Sequence, residues 1–314
     1  MGPRRRQGRR ALIRIPVSLP LLLDSDLGSD VDDELALALL WGSPEVELRG
    51  VCTTYGDTAL RARIVLRMAE LTGRAVEVAP GEQETASGRD VWWAGIEGAA
   101  YDRLPILPST VEEEAPSPGV RLLVERAAGA HLLAIGPLTS VAGALDAGAR
   151  FDGITLMGGD WTDSTTAEHN LASDAVAAKR VLESGLPVTA VGVDVTRQVR
   201  FGEAEIPRFA ACGALGAVLA TEMRAWMRRW DEDFEVPHDP LTALALLEPD
   251  LFAFEAPVAV RVSDGSDGPE GAVRRVDGAG AVRIAVGVDV EAARAALADR
   301  IARGLGEHQD HVAR

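Results

Sequence analysis

Residues 21–40 read LLLDSDLGSDVDDELALALL and place five aspartates between an apolar strand pattern and an apolar helix pattern. In an α/β sheet such a junction lies at the carboxyl end of a strand, where ligands bind. Five repelling carboxylates cost stability unless a cation or hydrogen-bond donors compensate. The helix N-terminus accommodates one or two of them. The segment therefore predicts a site for a hard divalent cation, Ca²⁺ or Mg²⁺. The aspartates are Asp24, Asp26, Asp30, Asp32 and Asp33.

Short apolar runs alternate with helical patterns over the rest of the chain. This alternation predicts a single α/β domain with a mainly parallel central sheet flanked by helices. After 21–23, strands are predicted at 46–53, 76–79, 131–135, 154–157, 188–193, 258–262 and 282–286. Helices are predicted at 34–41, 60–71, 120–128, 138–145, 175–184 and 290–305, and residues 203–247 read as mostly helical. Residues 80–118 are rich in glycine, proline and acidic residues, which is typical of a long functional loop.

Composition excludes several classes of partner. The net charge of −16 repels phosphate backbones, so we expect no nucleic-acid partner. No apolar stretch reaches the roughly 18 residues that a membrane span needs, so we expect no membrane partner. The two cysteines, Cys52 and Cys212, are too few for a disulfide framework. We interpret them as buried thiols of a cytoplasmic protein.

The N-terminus is basic and superficially resembles a signal peptide, because arginines precede an apolar stretch. Arg14, Pro16 and Pro20 interrupt that stretch, and no small-residue cleavage site follows. We therefore expect residues 1–17 to be a disordered basic tail and residues 18–310 to be the catalytic domain.

Two other metal-binding patterns compete for the aspartate segment. An EF-hand loop that starts at Asp24 needs glutamate twelve residues along, where Leu35 stands. A metal-dependent phosphatase of the haloacid-dehalogenase type also carries Asp-x-Asp after its first strand, here Asp24 and Asp26. It needs a downstream lysine to hold phosphate, and the chain has only Lys179, inside a helix pattern. The phosphatase remains an alternative.

Further motifs follow the aspartates in order along the chain. They are Thr53-Thr54-Tyr55-Gly56-Asp57, Gly136-Pro137-Leu138-Thr139-Ser140, Met157-Gly158-Gly159, Glu168-His169-Asn170 with Asp174, Asp194-Val195-Thr196 and His238-Asp239-Pro240. Together with the aspartate loop, which carries two additional residues before its final Asp pair, this series resembles the inosine-uridine nucleoside hydrolase family. The resemblance spans roughly residues 20–300. It implies the nucleoside hydrolase fold and hydrolysis of the N-glycosidic bond of a ribonucleoside to ribose and free base.

The resemblance also implies the metal site. Asp26, Asp33 and Asp239 would ligate Ca²⁺ through side-chain oxygens, and the backbone carbonyl of Ile135 would be a further ligand. Asp26 would be the general base that activates a Ca²⁺-bound water. By the same resemblance, Asp32 would hold the ribose 2′-hydroxyl.

Other roles carried over concern the substrate. Glu168 and Asn170 would hold the remaining ribose hydroxyls. His238 would protonate the departing base, which its reference pKa of about 6.5 permits at neutral pH. Trp226 shares a helix face with Trp230 and would stack on the base, although a core position is an equal alternative. Trp92 and Trp93 would form part of a lid.

The chain departs from the family at Asp57, where asparagine is expected, and we assign Asp57 to the substrate site as an extra carboxylate. Recognition of the 5′-hydroxyl is open, because an expected asparagine before Glu168 is absent. These departures favour an unusual substrate, such as a modified nucleoside, and leave a non-catalytic nucleoside- or sugar-binding protein as another alternative. The family resemblance further suggests a homodimer or homotetramer.

Overall fold

The computed structural model describes residues 18–107 and 115–306. The predicted tail, residues 1–17, lies outside this part, as do residues 307–310 of the predicted domain. Among the described residues the strands are β1 (Leu19–Ser25), β2 (Val46–Thr53), β3 (Val78–Pro80), β4 (His131–Ala134), β5 (Gly153–Met157), β6 (Val188–Val191), β7 (Phe252–Phe254), β8 (Ala259–Val262), β9 (Val273–Val276) and β10 (Val282–Val288).

The helices separate most of these strands, as the alternating pattern predicts. They are α1 (Asp32–Trp41), α2 (Thr58–Thr72), α3 (Pro118–Arg126), α4 (Thr139–Asp146), α5 (His169–Ser173), α6 (Ala175–Leu182), α7 (Val193–Thr196), α8 (Ile206–Ala210), α9 (Gly213–Trp230), α10 (His238–Leu247) and α11 (Val290–Leu305), with a 3₁₀ turn at Pro249–Leu251. Of the helices described, none has the length and apolar character to cross a bilayer.

Eight strands form one sheet in the order β3-β2-β1-β4-β5-β6-β10-β7. All neighbours pair in parallel except β10 and β7, which pair antiparallel. This confirms the predicted mainly parallel sheet. The predicted strand at 258–262 appears as β8, which pairs with β9 in a separate two-stranded sheet rather than with the others. The sequence patterns did not reveal β7 or β9, which are only three and four residues long.

The leucines of β1 divide the core into two layers, because successive side chains of a strand point to opposite faces. Leu21 and Leu23 pack in one buried cluster with residues of α1, α2 and α8–α11. Leu22 packs in the other, with residues of α3, α4 and α6. The sheet is therefore covered on both faces, which explains why its central strand is a continuous apolar run.

The chain adds strands to the sheet in opposite directions from β1: β2 and β3 lie on one side of it, and β4 to β6 lie on the other. Loops that leave the carboxyl ends of β1 and β4 diverge at such a point and leave a crevice between them. The Ile135 amide still donates to the Asp24 carbonyl at 2.9 Å, so the two loops begin side by side. The aspartate loop and the Gly136-Pro137 turn are thus brought to one place.

Candidate active site

Three buried carboxylates converge where the aspartate loop meets the start of α10. Oxygens of Asp32, Asp33 and Asp239 lie within 4.8 Å of one another. Each residue is only 4–5% exposed. The Ser25 hydroxyl donates to Asp33 at 2.6 Å, and the Asp239 amide donates to Asp32 at 3.4 Å.

Burial raises the pKa of Asp32, Asp33 and Asp239 well above the usual range for a carboxyl group, and the neighbouring carboxylates raise it further. Within the described part of the chain, no ion pair joins any of the three to an arginine or lysine. Concentrated negative charge with oxygen donors and no cationic side chain in contact fits a hard divalent metal ion. The cluster is therefore suited to hold a metal.

Asp26 and Ile135, both assigned to the metal by resemblance, line the same cavity but lie outside this tight group. The negative charge of Asp26 raises the pKa of Asp33 and Asp239, so its carboxylate is close to theirs. A Cβ at Gly136 would lie 2.5 Å from Asp26 Oδ1, so the absent side chain at Gly136 leaves room for this carboxylate. The Ile135 carbonyl accepts a hydrogen bond from Asn170 Nδ2 at 2.9 Å.

A fully buried arginine, Arg61, donates hydrogen bonds to the backbone of the aspartate loop. The sequence patterns did not reveal this role. Arg61 Nη1 donates to the carbonyls of Asp26 and, at 2.8 Å, Leu27, and Arg61 Nε donates to the Tyr55 carbonyl at 2.7 Å. The guanidinium lies 5.0 Å from the ring centroid of Trp93. Its charge counters the effect of burial, the larger influence, on the pKa of Asp26.

Glu168 and Asn170 reach the cavity from the start of α5. The Glu168 carboxylate caps this helix, accepting from the amides of Asn170 at 2.7 Å and Leu171 at 3.2 Å, and it also accepts from the Gly159 amide at 3.0 Å. These amides fix the carboxylate while it remains 8% exposed at the cavity wall. The motif thus positions both side chains through the local helix start.

The cavity that these residues enclose measures about 460 Å³. It brings together all but one of the residues that were assigned above to the metal, the ribose or the base. Its lining residues are Asp26, Ser29, Asp30, Asp32, Asp33, Trp92, Ile135, Met157, Ala167, Glu168, His169, Asn170, Val193, Arg197, Trp226, Trp230, His238 and Asp239.

The exception is Asp57, which does not line the cavity and is exposed. Its carboxylate accepts from the Leu60 amide at 2.8 Å and caps α2. The assignment of Asp57 to the substrate site is therefore corrected: its side chain is used to satisfy a helix N-terminus.

His238 lines the cavity with a pKa different from the one assumed above. Burial, with a smaller contribution from the charge of Arg197, lowers its pKa to about 4. This shift disfavours a protonated imidazole at pH 7, and the role of His238 in protonating the base stays a prediction. Its Nδ1 lies 2.6 Å from the Thr196 hydroxyl, in the turn after β6.

Aromatic side chains stand on two walls of the cavity. Trp226 and Trp230 of α9 pack edge to face, with ring centroids 5.7 Å apart. Trp92 packs in the same way against His169, also at 5.7 Å, and its amide donates to the Tyr55 hydroxyl at 2.8 Å. Sequence reasoning named Trp92 only as part of a lid and gave His169 no role.

The loop that carries Trp92 is anchored by Asp174, the last residue of the Glu168 motif. Fully buried Asp174 accepts from the amides of Ala86 at 2.7 Å and Ser87 at 3.1 Å and from the Thr139 hydroxyl at 2.7 Å. On the far side of the loop, Glu97 accepts from the Ser29 hydroxyl at 3.1 Å. The two-residue insertion around Asp30 therefore lies against this loop.

A second cavity of about 500 Å³ adjoins the first. The two share part of their lining, namely Asp30, Arg197, Trp226, Trp230 and His238. The second cavity is also lined by Arg200, whose guanidinium lies 4.0 Å from the ring centroid of Phe234.

The chain is similar in sequence and structure to known nucleoside hydrolases and nucleosidases. Residues 21–295 match the family described as inosine-uridine preferring nucleoside hydrolase. The pyrimidine-specific ribonucleoside hydrolase RihA of Photobacterium profundum is 31% identical over 259 residues, which cover 76% of this chain and 82% of that protein. Uridine nucleosidase 1 of Arabidopsis thaliana is 29% identical, covering 77% of each chain. The solved structure of a purine-preferring ribonucleoside hydrolase from Gardnerella vaginalis superposes with a TM-score of 0.79 at 27% identity, covering 91% of this chain and 99% of that one.

Proposed function

Because the chain belongs to the inosine-uridine preferring nucleoside hydrolase family, we propose that it hydrolyses the N-glycosidic bond of ribonucleosides with Asp26 as the general base. The observation that carries this proposal is the buried carboxylate group Asp32, Asp33 and Asp239 on the wall of a cavity large enough for a nucleoside. The products are ribose and the free base.

Ca²⁺ is the proposed metal, held by Asp26, Asp33, Asp239 and the Ile135 carbonyl. The donors are all oxygens, which suit Ca²⁺, an ion that takes six to eight oxygen ligands. When bound, Ca²⁺ would hold a water molecule and make its proton easier to remove. Asp32 lies within the same carboxylate group, so its assigned contact with the ribose 2′-hydroxyl would be made next to the metal.

Asp26 takes a proton from the attacking water. Its carboxylate borders the cavity between the metal ligands and the Gly136 turn, and Arg61 fixes the backbone that carries it. The water oxygen bonds to the anomeric carbon as the bond from that carbon to the base nitrogen breaks. The electron pair of the broken bond passes to the base, which acquires a proton to become the free product.

Glu168 and Asn170 hold the ribose from the cavity wall at the start of α5. Their fixed positions at the start of α5 support this role, because rigid contacts orient the sugar before the bond breaks. Trp226 stacks on the base, with support from its place in the cavity wall. His238 donates a hydrogen bond to the base from its neutral ring, provided that the nitrogen facing Thr196 is the unprotonated one.

We further propose a cytoplasmic homodimer or homotetramer. The resemblance to the family suggests the oligomer. Two free, buried cysteines are compatible with a reducing compartment. Sedimentation velocity at micromolar concentration tests the oligomer, and a monomer at all concentrations would contradict it.

The decisive experiment measures ribose released from uridine and inosine as reducing sugar, with Ca²⁺ present. We expect turnover by the wild-type protein and loss of at least about a thousandfold in kcat for Asp26→Ala, because general base and metal ligand are lost together. Asp57→Asn is the matched control, since it changes an exposed aspartate outside the cavity. Release of phosphate from uridine 5′-monophosphate, without release of ribose from either nucleoside, would contradict the proposal.

A further inference from the structure

The wall shared by the two cavities lies at the base end of the proposed site. Glu168, Asn170 and Asp33, assigned to the sugar and the metal, line only the first cavity. Trp226 and His238, assigned to the base, line both. Arg197 is a solvent-exposed residue of this shared wall, so it lies at the end of the site assigned to the leaving group.

Of the described residues that line the first cavity, Arg197 is the one arginine. It directly follows Thr196, the partner of His238, at the end of α7. The positive charge of Arg197 contributes to the lowered pKa of His238, in agreement with the place of both residues in the shared wall. The sequence patterns gave Arg197 no role, because a single arginine after a turn has no diagnostic spacing.

The exposed guanidinium of Arg197 forms no hydrogen bond or ion pair with residues 18–107 or 115–306, not even with Asp30 in the same wall. Other arginines of this chain are heavily engaged, as Arg61 is by backbone carbonyls and Arg300 is by Glu45 and Glu248. A cation without a partner at the base end of an acidic site is available to a ligand.

From this placement we propose that Arg197 is a catalytic residue that stabilises the negative charge developing on the departing base. This inference rests on the proposed function. As the glycosidic bond breaks, its electron pair localises on the base, whose ring nitrogens and carbonyl oxygens accept hydrogen bonds from the guanidinium. Arg197 keeps all its protons, since arginine is not deprotonated in proteins. The proton that neutralises the base comes from solvent, and the water proton goes to Asp26, so the balance is that of hydrolysis.

Such a role makes the effect of Arg197 depend on the leaving group. Charge stabilisation matters for a nucleobase, which is a poor leaving group, and contributes little when the leaving group disperses its own charge. In p-nitrophenyl β-D-ribofuranoside the nitro group disperses the charge of the departing phenolate. The sugar, the metal and the attacking water are the same in both reactions.

The test compares Arg197→Met on uridine, inosine and p-nitrophenyl β-D-ribofuranoside. We expect kcat for the two nucleosides to fall about 30-fold, equivalent to about 2 kcal/mol, and kcat for the nitrophenyl riboside to change by less than about twofold. Arg197→Lys, which keeps the charge without the planar donors, should recover part of the loss. Arg200→Met is the matched control, because Arg200 lines only the second cavity, and it should leave all three rates unchanged.

Equal losses of kcat on the nucleosides and the nitrophenyl riboside would show a structural effect and overturn the role of Arg197. Unchanged turnover of both nucleosides by Arg197→Met would overturn it as well. Either result leaves the proposed function intact if the wild-type protein cleaves the nucleosides. A wild-type protein that cleaves none of the three compounds would instead refute the proposed function.

Discussion

Replacing Asp239 by asparagine should change the stability of the protein in opposite directions with and without metal. Oxygens of Asp32, Asp33 and Asp239 lie within 4.8 Å of one another. With an effective dielectric constant of about 20, two charges at that distance repel by about 3.5 kcal/mol. Asp239 faces two such partners, and uptake of protons by the metal-free cluster relieves part of the repulsion. We therefore expect metal-free Asp239→Asn to be more stable than the wild type by about 2–4 kcal/mol at pH 8.

The dependence on pH follows from the direction of the pKa shift. The pKa of Asp239 is raised in the folded protein, chiefly by burial and next by Asp32. The metal-free folded state then binds more protons than the unfolded state above pH 4, so wild-type stability falls as pH rises toward the folded pKa. The advantage of Asp239→Asn should accordingly be small at pH 5 and grow toward pH 8.

Added Ca²⁺ reverses the order. A ligand at one thousand times its dissociation constant stabilises the folded state by about 4.1 kcal/mol. For a domain of this size, each kcal/mol shifts Tm by about 2 °C, so wild-type Tm should rise by about 8 °C and that of Asp239→Asn hardly at all.

Differential scanning fluorimetry in excess chelator and in Ca²⁺, at pH 5 and pH 8, measures both effects. Asp289→Asn is the matched control, since Asp289 is an exposed N-cap of α11 whose role asparagine also fills. The reasoning is refuted if chelated Asp239→Asn melts below the chelated wild type at pH 8 and Ca²⁺ shifts both proteins equally.

Three further predictions concern the surroundings of the site. Burial lowers the pKa of His131 to about 4, so the folded state resists the protonation that the unfolded state accepts below about pH 6.5, and stability is lost as pH falls. His131→Gln should therefore reduce the difference in the free energy of unfolding between pH 7 and pH 5, measured with denaturant, by about 2 kcal/mol. Parallel pH curves for the two proteins would contradict this. Asp174→Ala removes the acceptor for the amides of Ala86 and Ser87 and should destabilise the protein by about 3 kcal/mol while increasing hydrogen exchange in this loop; unaltered exchange would exclude the anchoring role. Gly136→Ala should lower kcat for uridine at least about tenfold by displacing the nearby carboxylate, and a wild-type rate would show that the carboxylate has room to move.

The sequence predicted much of the fold because its strands and helices are strongly patterned. The strand 46–53 and the helix 290–305 coincide with β2 and α11. Long apolar runs and helical periodicity depend on local residues alone. By contrast, β7 and β9 are too short to display a period, and nothing local distinguishes β8, paired only with β9, from a strand of the main sheet.

Site residues that belong to family motifs could be predicted from the sequence. Properties that depend on burial and packing could not. The convergence of Asp33 and Asp239 followed from resemblance to the family, whose motifs lie far apart in sequence. The lowered pKa of His238 results from enclosure that no short segment reveals. Arg61 looks like any arginine in a helix pattern, yet three-dimensional packing directs it to the carbonyls of the aspartate loop. Asp57 was assigned to the substrate site because it stands where the family has asparagine, whereas in the structure its carboxylate caps α2.

Asp32 and Asp239 are 207 residues apart in the chain, although the amide of one contacts the carboxylate of the other. A nascent polypeptide emerging from the ribosome therefore carries the aspartate loop long before its partner from α10 is synthesised. Until that helix docks against α1, the early carboxylates lack the geometry to capture a cation tightly. On the proposed function, incomplete or misassembled chains would thus be unable to cleave nucleosides, and a gain of activity would show that the two distant parts of the chain have come together.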